Sequence, residues 1–167
     1  AVPIDRTKVS RQSGDMISEL IEEGWSLLIY PEGGRSPDGW GQPFRGGAAY
    51  LAIRCDVPVI PIHISGTAKI LRKGRNLPRR SKSTVTFGYP MKPESDESAR
   101  SFSARIEKEV RSLADETASS WWDARQRSYR NSSPSLTGPE IGAWRRSWAL
   151  SDNDGKTRKR RRRWPAI

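Results

Sequence analysis

The sequence predicts an α/β fold with a mixed sheet flanked by helices. Apolar residues recur at helical spacing in separate segments, and short continuous apolar runs of strand length lie between them. Glycine and proline follow several of these runs, as is typical of turns between elements. Alternation of strand and helix along one chain favours a layered α/β domain. The length of 167 residues allows one such domain plus an appendage.

Three helices are predicted from amphipathic spacing. The first lies between a possible N-cap at Ser13 and a stop at Gly24. Its apolar positions are Met16, Ile17, Leu20 and Ile21. The second runs from Gly46 to Cys55, and the third from about Ser98 to Ala118. The apolar face of the third is formed by Phe102, Ile106, Val110 and Leu113.

Three apolar runs predict strands. Ser26 to Tyr30 is nearly continuous and ends in Pro-Glu-Gly-Gly, as expected for a buried strand that leads into a tight loop. Val57 to Ile64 is the second, although Pro58 and Pro61 each lack a backbone donor and favour an edge or bulged position. Thr84 to Phe87 predicts a third, short strand.

Basic charge is concentrated in one loop and in the C-terminal part. The net charge is +11, and residues 121–167 hold 12 Lys or Arg against four acidic residues. A second basic run without an acid extends from Lys69 to Lys82. We expect a boundary near Arg130, between a domain of residues 1–130 and a basic, Trp-containing tail of residues 131–167. The tail has too few aliphatic residues to form a core, so we expect it to be disordered.

Composition excludes several classes of protein. A single cysteine, Cys55, excludes an internal disulfide framework and the multi-cysteine zinc patterns, and it reads as a small buried residue. No apolar run approaches the roughly 18 residues of a spanning helix, which favours a soluble or peripheral chain. We expect no metal and no bound cofactor.

Residues 30–39 are the segment with the clearest chemistry. They read Tyr-Pro-Glu-Gly-Gly-Arg-Ser-Pro-Asp-Gly and lie between a predicted strand and a predicted helix. Adjacent glycines allow backbone N–H groups to approach an anion, and Arg35 can bind a phosphate with two hydrogen bonds. The segment therefore predicts a phosphate site, and the alternative is a surface turn with a solvated arginine.

Four segments in order resemble the family of 1-acylglycerol-3-phosphate acyltransferases. Ile4-Asp5-Arg6 is similar to the second motif of that family, and Pro31 to Ser36 is similar to the third, glutamate-glycine-threonine-arginine. Phe44-Arg-Gly-Gly-Ala48 resembles the stretch that follows the third motif, and Val57 to Ile62 resembles the fourth. The resemblance covers residues 4–62 and implies the α/β fold of glycerol-phosphate acyltransferases.

The resemblance also implies the roles of the site residues. Arg6 and Arg35 would hold the phosphate of the lysophospholipid acceptor, and Glu32 would orient an arginine, bond the glycerol or simply pair with Arg35. The glycines would supply backbone donors. The full set expected to bind the acceptor is Asp5, Arg6, Glu32, Gly33, Gly34, Arg35 and Ser36. The region expected beside the acyl donor contains Val57, Pro58 and Pro61.

Two departures from the family pattern affect the chemistry. Gly34 stands where the family usually has threonine, so a hydroxyl contact is lost. The first motif, histidine and aspartate separated by four residues, is absent, because the only histidine, His63, is followed five positions later by Ala68. In relatives this histidine is the general base. We expect the pair to lie upstream of Ala1, this chain alone to be inactive, and His63 to be a hydrogen-bonded core residue.

The resemblance implies an acyl thioester co-substrate, on coenzyme A or acyl carrier protein, and phospholipid synthesis as the process. The tail, which contains Arg158-Lys-Arg-Arg-Arg-Arg163 followed by Trp164, predicts binding to an anionic membrane surface. This favours a cytoplasmic protein, peripheral on the inner face of the membrane. Two alternatives stay open: a non-catalytic lipid-binding relative, and a nucleic-acid-binding protein that uses the basic tail.

Overall fold

The computed structural model describes residues 11–34, 36, 40–71 and 76–138. Within these described residues, five helices and two strands follow in the order α1, α2, β1, α3, β2, α4 and α5. The helices are α1 (Arg11–Glu22), α2 (Gly47–Cys55), α3 (Thr67–Ile70), α4 (Ala99–Ala118) and α5 (Trp121–Tyr129). The strands are β1 (Ile62–Ser65) and β2 (Thr84–Phe87). The predicted α/β class is confirmed, with a small sheet packed against helices.

Helix α4 organises the core, as its periodicity predicts. Its N-cap is Ser98, whose hydroxyl accepts a hydrogen bond from the Ser101 amide at 3.1 Å. The four predicted apolar positions, Phe102, Ile106, Val110 and Leu113, are all buried. Ala49 and Ala52 of α2 join this cluster, because small side chains let the two helices approach closely. The predicted bounds of α2 are also confirmed.

Strands β1 and β2 pair in antiparallel register, with Ile62 opposite Phe87 and His63 opposite Thr86. The face that carries His63 and Thr86 turns toward α4, because the Thr86 hydroxyl lies 3.2 Å from that of Thr117. Thr84–Phe87 matches the predicted strand. The predicted strand from Val57 to Ile64 is corrected: regular pairing begins only at Ile62.

The prolines explain this late start. Pro58 and Pro61 cannot donate to a ladder, and within the described part of the chain a single bridge, between Val59 and Met91, forms ahead of β1. The Val59 and Met91 amides each donate to the other residue's carbonyl at 2.8 Å. The segment is thus extended but interrupted, as an edge or bulged strand would be.

The predicted strand Ser26–Tyr30 is not a strand in the structure. Its side chains are mainly exposed, with Leu28 and Tyr30 both at 64%. No other strand of the described residues pairs with it, so its backbone lacks the ladder that strand geometry requires. Apolar composition alone therefore misled the interpretation of this segment.

Helix α1 begins at Arg11, so Ser13 lies inside the helix and is not its N-cap. Its predicted stop is confirmed: Gly24 has a φ of 89°, and the Trp25 amide donates to the Leu20 carbonyl at 3.0 Å. Ile17 is buried, whereas Met16 is partly exposed.

The expectation that a disordered tail begins at Asn131 is wrong for residues 131–138, which lie against the body. Leu136 packs against the core cluster, and its carbonyl accepts a hydrogen bond from the Gly41 amide at 2.8 Å. A single aliphatic side chain with a backbone bond is enough to hold this segment on the body. The rest of the tail, residues 139–167, lies outside the described residues, and the division at residue 130 stays a prediction.

None of the helices in the described part of the chain is long and apolar enough to cross a membrane.

Candidate functional site

The predicted phosphate segment forms a closed loop between Tyr30 and α2. The Gly33 amide donates to the Tyr30 carbonyl at 3.0 Å and makes a tight turn. The Arg45 amide donates to the Pro31 carbonyl at 2.9 Å and brings the two ends of the loop together. The loop therefore starts and finishes at one point on the surface of the body, ahead of the N-terminus of α2.

The Glu32 side chain forms a hydrogen bond across this loop. Its Oε2 accepts a hydrogen bond from the Gln42 amide at 2.8 Å, across ten residues of chain. A carboxylate that accepts a backbone N–H forms a charge-assisted bond, which is stronger than a neutral one. The structure thus gives Glu32 an organising function that the sequence interpretation did not include, beside the predicted contacts with an arginine or with the glycerol.

Gly33 and Arg45 are in close contact. Gly33 has a φ of 72°, and a Cβ placed on it would lie 2.9 Å from the Cζ atom of Arg45. Only glycine leaves room for the guanidinium at this backbone position. Arg45 therefore lies over the glycine turn, where it adds a positive charge that sequence reasoning did not assign. Its position directly after Phe44, in the stretch that resembles the one following the third motif of the family, was the signal available.

The far side of the loop is anchored to the body. The Phe44 amide donates to Oε2 of Glu107 on α4 at 3.4 Å, and the Phe44 side chain packs against the core. Oε1 of Glu107 in turn accepts from Arg111 at 3.2 Å. Trp40 packs over Gly138, where an added Cβ would lie 2.7 Å from the indole ring. These contacts fix the loop relative to α4.

The predicted acceptor-binding residues fall into two groups. Glu32, Gly33, Gly34 and Ser36 lie in the loop, and both glycines are exposed, as contact with an external anion requires. Asp5, Arg6 and Arg35 lie outside the described residues. The Gly33 amide is already bonded to Tyr30, so of the two glycines Gly34 is the better placed to donate to an anion.

The predicted acyl-donor residues follow α2, a helix of nine residues that spans about 13 Å from the loop to this region. Val57 is half-buried, and Pro58 is exposed. Pro61 is fully buried, and its carbonyl accepts from the Gly88 amide at 2.8 Å. Pro61 thus shapes the core beneath this region, whereas Pro58 lies at the surface.

His63, which was expected to be a hydrogen-bonded core residue, is only half-buried on the sheet and faces α4. Its Nδ1 is buried and has no hydrogen-bond partner among the described residues, so the expected hydrogen bond is not found at that atom. Burial lowers the pKa of His63 below the ordinary value, because the imidazolium loses hydration there. Cys55, also predicted to be buried, is half-buried and reduced, with its Sγ 3.4 Å from the Ser18 hydroxyl.

No group of three or more His, Cys, Asp or Glu side chains that could hold a metal ion occurs within the described residues.

Comparison with known proteins finds similarity over the first part of the chain. The family model described as Acyltransferase matches residues 1–65. A chloroplastic 1-acyl-sn-glycerol-3-phosphate acyltransferase of Brassica napus is 46% identical over 56 residues, covering 34% of this chain and 16% of the relative. An enzyme of the same name from Limnanthes alba is 32% identical over 93 residues, covering 54% and 33%.

One solved structure is also similar. The crystal structure of the 1-acyl-sn-glycerophosphate acyltransferase PlsC from Thermotoga maritima matches with a TM-score of 0.59 and 27% identity, covering 65% of this chain and 45% of that one. The fold is similar to that of this acyltransferase, and the loop lies within residues 1–65, which match the Acyltransferase family model. The relatives named above are 1-acyl-sn-glycerol-3-phosphate acyltransferases, so this part of the chain is similar to that family. The chain spans 16% and 33% of the length of the two plant relatives.

Proposed function

We propose that this chain forms the acceptor-binding part of an enzyme that transfers a fatty acyl group from a thioester to the hydroxyl of lysophosphatidate, in phospholipid synthesis. The observation that carries the proposal is the closed loop of residues 31–45. It exposes two adjacent glycines, the first of which contacts the Arg45 guanidinium, within the segment that matches the family model. Backbone donors and guanidinium groups are the chemistry that binds a phosphate monoester.

In the proposed reaction the acceptor hydroxyl attacks the carbonyl carbon of the thioester. A carbon–oxygen bond forms, the carbon–sulfur bond breaks, and the hydroxyl proton passes to a base that returns it to the leaving thiolate. The donor thioester would be carried by coenzyme A or acyl carrier protein, with no further cofactor. The loop would hold the phosphate of the acceptor and so fix the distance of its hydroxyl from the base.

Substitution of Arg35 tests the proposed acceptor site. Arg35→Ala should weaken lysophosphatidate binding by chain 1–167 at least tenfold, since a hydrogen bond to a charged group contributes about 1.5–3 kcal/mol. Binding of the corresponding monoacylglycerol, which lacks the phosphate, should not change. The matched control is Arg80→Ala, which removes the same charge from an exposed position outside the loop.

Calorimetric titration of the three proteins with both lipids measures these effects. If Arg35→Ala and Arg80→Ala bound lysophosphatidate equally well, Arg35 would have no part in the acceptor site.

We also propose that the tail holds the enzyme on the cytoplasmic face of an anionic membrane. The support is its composition, with nine Lys or Arg against three acids in residues 131–167. Each basic residue near an anionic leaflet contributes about 1 kcal/mol. Removal of residues 151–167 should therefore weaken binding to anionic vesicles at low salt and leave binding to neutral vesicles unchanged, and equal binding by both forms would contradict the proposal.

A further inference from the structure

Helix α5 is fixed on α4 by one face only. Ala124 is fully buried, and Arg127 donates from Nε and Nη2 to the two oxygens of Asp115, both at 2.7 Å. Arg125 donates to Glu109 at 2.9 Å. These contacts set the rotation of α5 about its axis. The opposite face is therefore held outward by the packing and does not depend on the flexibility of a loop.

The outward face of α5 is aromatic at both ends. Trp121 and Trp122 are 55% and 63% exposed, with ring centroids 6.2 Å apart. Tyr129, two turns further on, is 90% exposed. Gln126 and Arg130 lie exposed between and after these rings. Exposed tryptophans cost solvation free energy and are depleted on ordinary surfaces, so a pair of them held outward indicates a binding surface.

The arrangement of exposed aromatic side chains on α5 fits a bilayer interface better than a protein partner. Three aromatic side chains present roughly 300–500 Å² at these exposures, which is less than the about 800 Å² per partner of a stable protein interface. They are interrupted by a polar residue and do not form a continuous apolar stripe. Tryptophan and tyrosine at the ends of a helix with basic neighbours are typical of helices that lie in the headgroup region.

Local charge agrees with an anionic lipid surface. The one acid of α5, Asp123, is engaged at the helix N-terminus, where its Oδ2 accepts from the Ser120 hydroxyl at 2.8 Å. Arg130 is exposed at the C-cap. The chain that follows is strongly basic. A leaflet that contains anionic lipids would meet both the rings and these positive charges.

We propose that α5 is an interfacial anchor, which places Trp121, Trp122 and Tyr129 in the headgroup region of an anionic phospholipid bilayer. This contact is apolar and aromatic, and it is separate from the electrostatic attraction of the tail. The anchor proposal does not depend on acyl transfer. Experiments could therefore contradict the anchor and support the proposed function, or contradict the function and support the anchor.

Salt distinguishes the contribution of the tail to vesicle binding from that of α5. Screening weakens the electrostatic attraction of the tail to anionic lipid, but it does not weaken the burial of aromatic rings. The experiment uses chain 1–167, its Trp121→Ser/Trp122→Ser variant, a matched Trp25→Ser control and a form without residues 151–167. Trp25 is 66% exposed and follows α1, so it offers the same change at another surface. Flotation with vesicles of phosphatidylcholine and phosphatidylglycerol at 0.1 and 0.5 M NaCl measures binding.

The double variant should bind at least about tenfold more weakly than the wild type at both salt concentrations. The shortened form should differ from the wild type mainly at low salt, and Trp25→Ser should bind normally. Brominated lipid should quench part of the wild-type tryptophan fluorescence, and that part should be lost in the double variant. Circular dichroism checks the fold, and Trp121→Phe/Trp122→Phe, which keeps aromatic rings, should retain most of the binding.

The proposal is overturned if the double variant binds vesicles like Trp25→Ser, or if both lose binding equally. Loss of a dimer in sedimentation velocity, with vesicle binding intact, would instead identify a second copy as the occupant. Tighter wild-type binding to single-stranded DNA than to vesicles at physiological salt, lost in the double variant, would identify a nucleic-acid surface.

Discussion

At Gly33 a single backbone angle determines how the site is built. A φ of 72° lies in the left-handed region, where a side chain adds strain. The same residue leaves space for the Arg45 guanidinium, and its amide closes the turn to Tyr30 at 3.0 Å. The neighbouring Gly34 has neither constraint, because a Cβ there would meet nothing within 4 Å. The two adjacent glycines therefore differ in function.

Gly33→Ala should destabilise the chain by about 1 kcal/mol, whereas Gly34→Ala should have almost no effect on stability. The backbone strain accounts for most of this cost, since the end of an exposed arginine can move aside. The displaced Arg45 should nevertheless weaken lysophosphatidate binding. Urea unfolding and lipid titration of both variants measure the two effects, and equal stability losses would show that Gly33 is not conformationally required.

His63 gives the chain a pH response that can be assigned to one side chain, because it is the only histidine. Burial lowers its pKa in the folded state, so the unfolded state binds a proton first as pH falls below about 6.5. Stability should therefore decrease from pH 7.5 to pH 5.5. His63→Leu should remove most of that decrease in Tm. A variant with the wild-type slope would mean that His63 is accessible to water when folded.

Among the elements, those whose side chains bury one regular face were predictable. The apolar face of α4 and the short strand β2 were predicted with nearly the observed bounds. Ser26–Tyr30 was not, because a continuous apolar run carries no information about whether a neighbouring strand will pair with it. Helix α5 was missed for the opposite reason. It buries only Ala124 and is held by ion pairs, which leave no apolar periodicity.

The ion pair between Arg127 and Asp115 should therefore decide whether α5 stays on α4. The side chain of Asp115 is 5% exposed, and the two hydrogen bonds from Arg127 lower the pKa of its carboxyl below the ordinary value. Arg127→Met leaves that carboxylate buried without its partner. We expect a loss of stability at pH 7, moderated because Arg127 itself is 36% exposed.

A depressed carboxylate pKa contributes stability above the unfolded pKa, and this stability is lost as pH falls through the folded pKa. The difference between wild type and Arg127→Met should therefore shrink below about pH 4. Arg130→Met is the control, since it removes the same charge from an exposed position at the end of α5. Thermal unfolding across pH measures both. A difference that did not depend on pH would rule out the carboxylate as its source.

Across the whole molecule, the order of motifs along the chain predicted the similarity to acyltransferases that was found over residues 1–65, but not the contacts that build the site. Glu32 was expected to face the substrate or an arginine, and the structure shows it bound to the Gln42 amide. Arg45 was read as part of a motif and given no function, although it lies over Gly33. Both contacts join residues about ten positions apart in an irregular loop, where no periodic pattern indicates which side chains meet.

The last prediction concerns catalysis by the chain as a unit. A glycerol hydroxyl is a weak nucleophile near neutral pH, and a positioned base contributes typically a hundredfold to ten-thousandfold in rate. The only imidazole of the chain, at His63, is half-buried on the face of the sheet toward α4, and the residue five positions later is Ala68. Chain 1–167 should therefore bind lysophosphatidate but give no measurable acyl transfer from a fatty acyl thioester.

A form extended at its N-terminus by a segment with the histidine and aspartate of the first motif should be active, and His63→Ala in that form should lower stability more than kcat. Release of free thiol and formation of diacylated product, measured together, distinguish acyl transfer from hydrolysis of the donor. Robust turnover by chain 1–167 would show that a base other than the expected histidine is present. Inactivity of both forms, with lysophosphatidate still bound, would identify a lipid-binding relative that has lost catalysis.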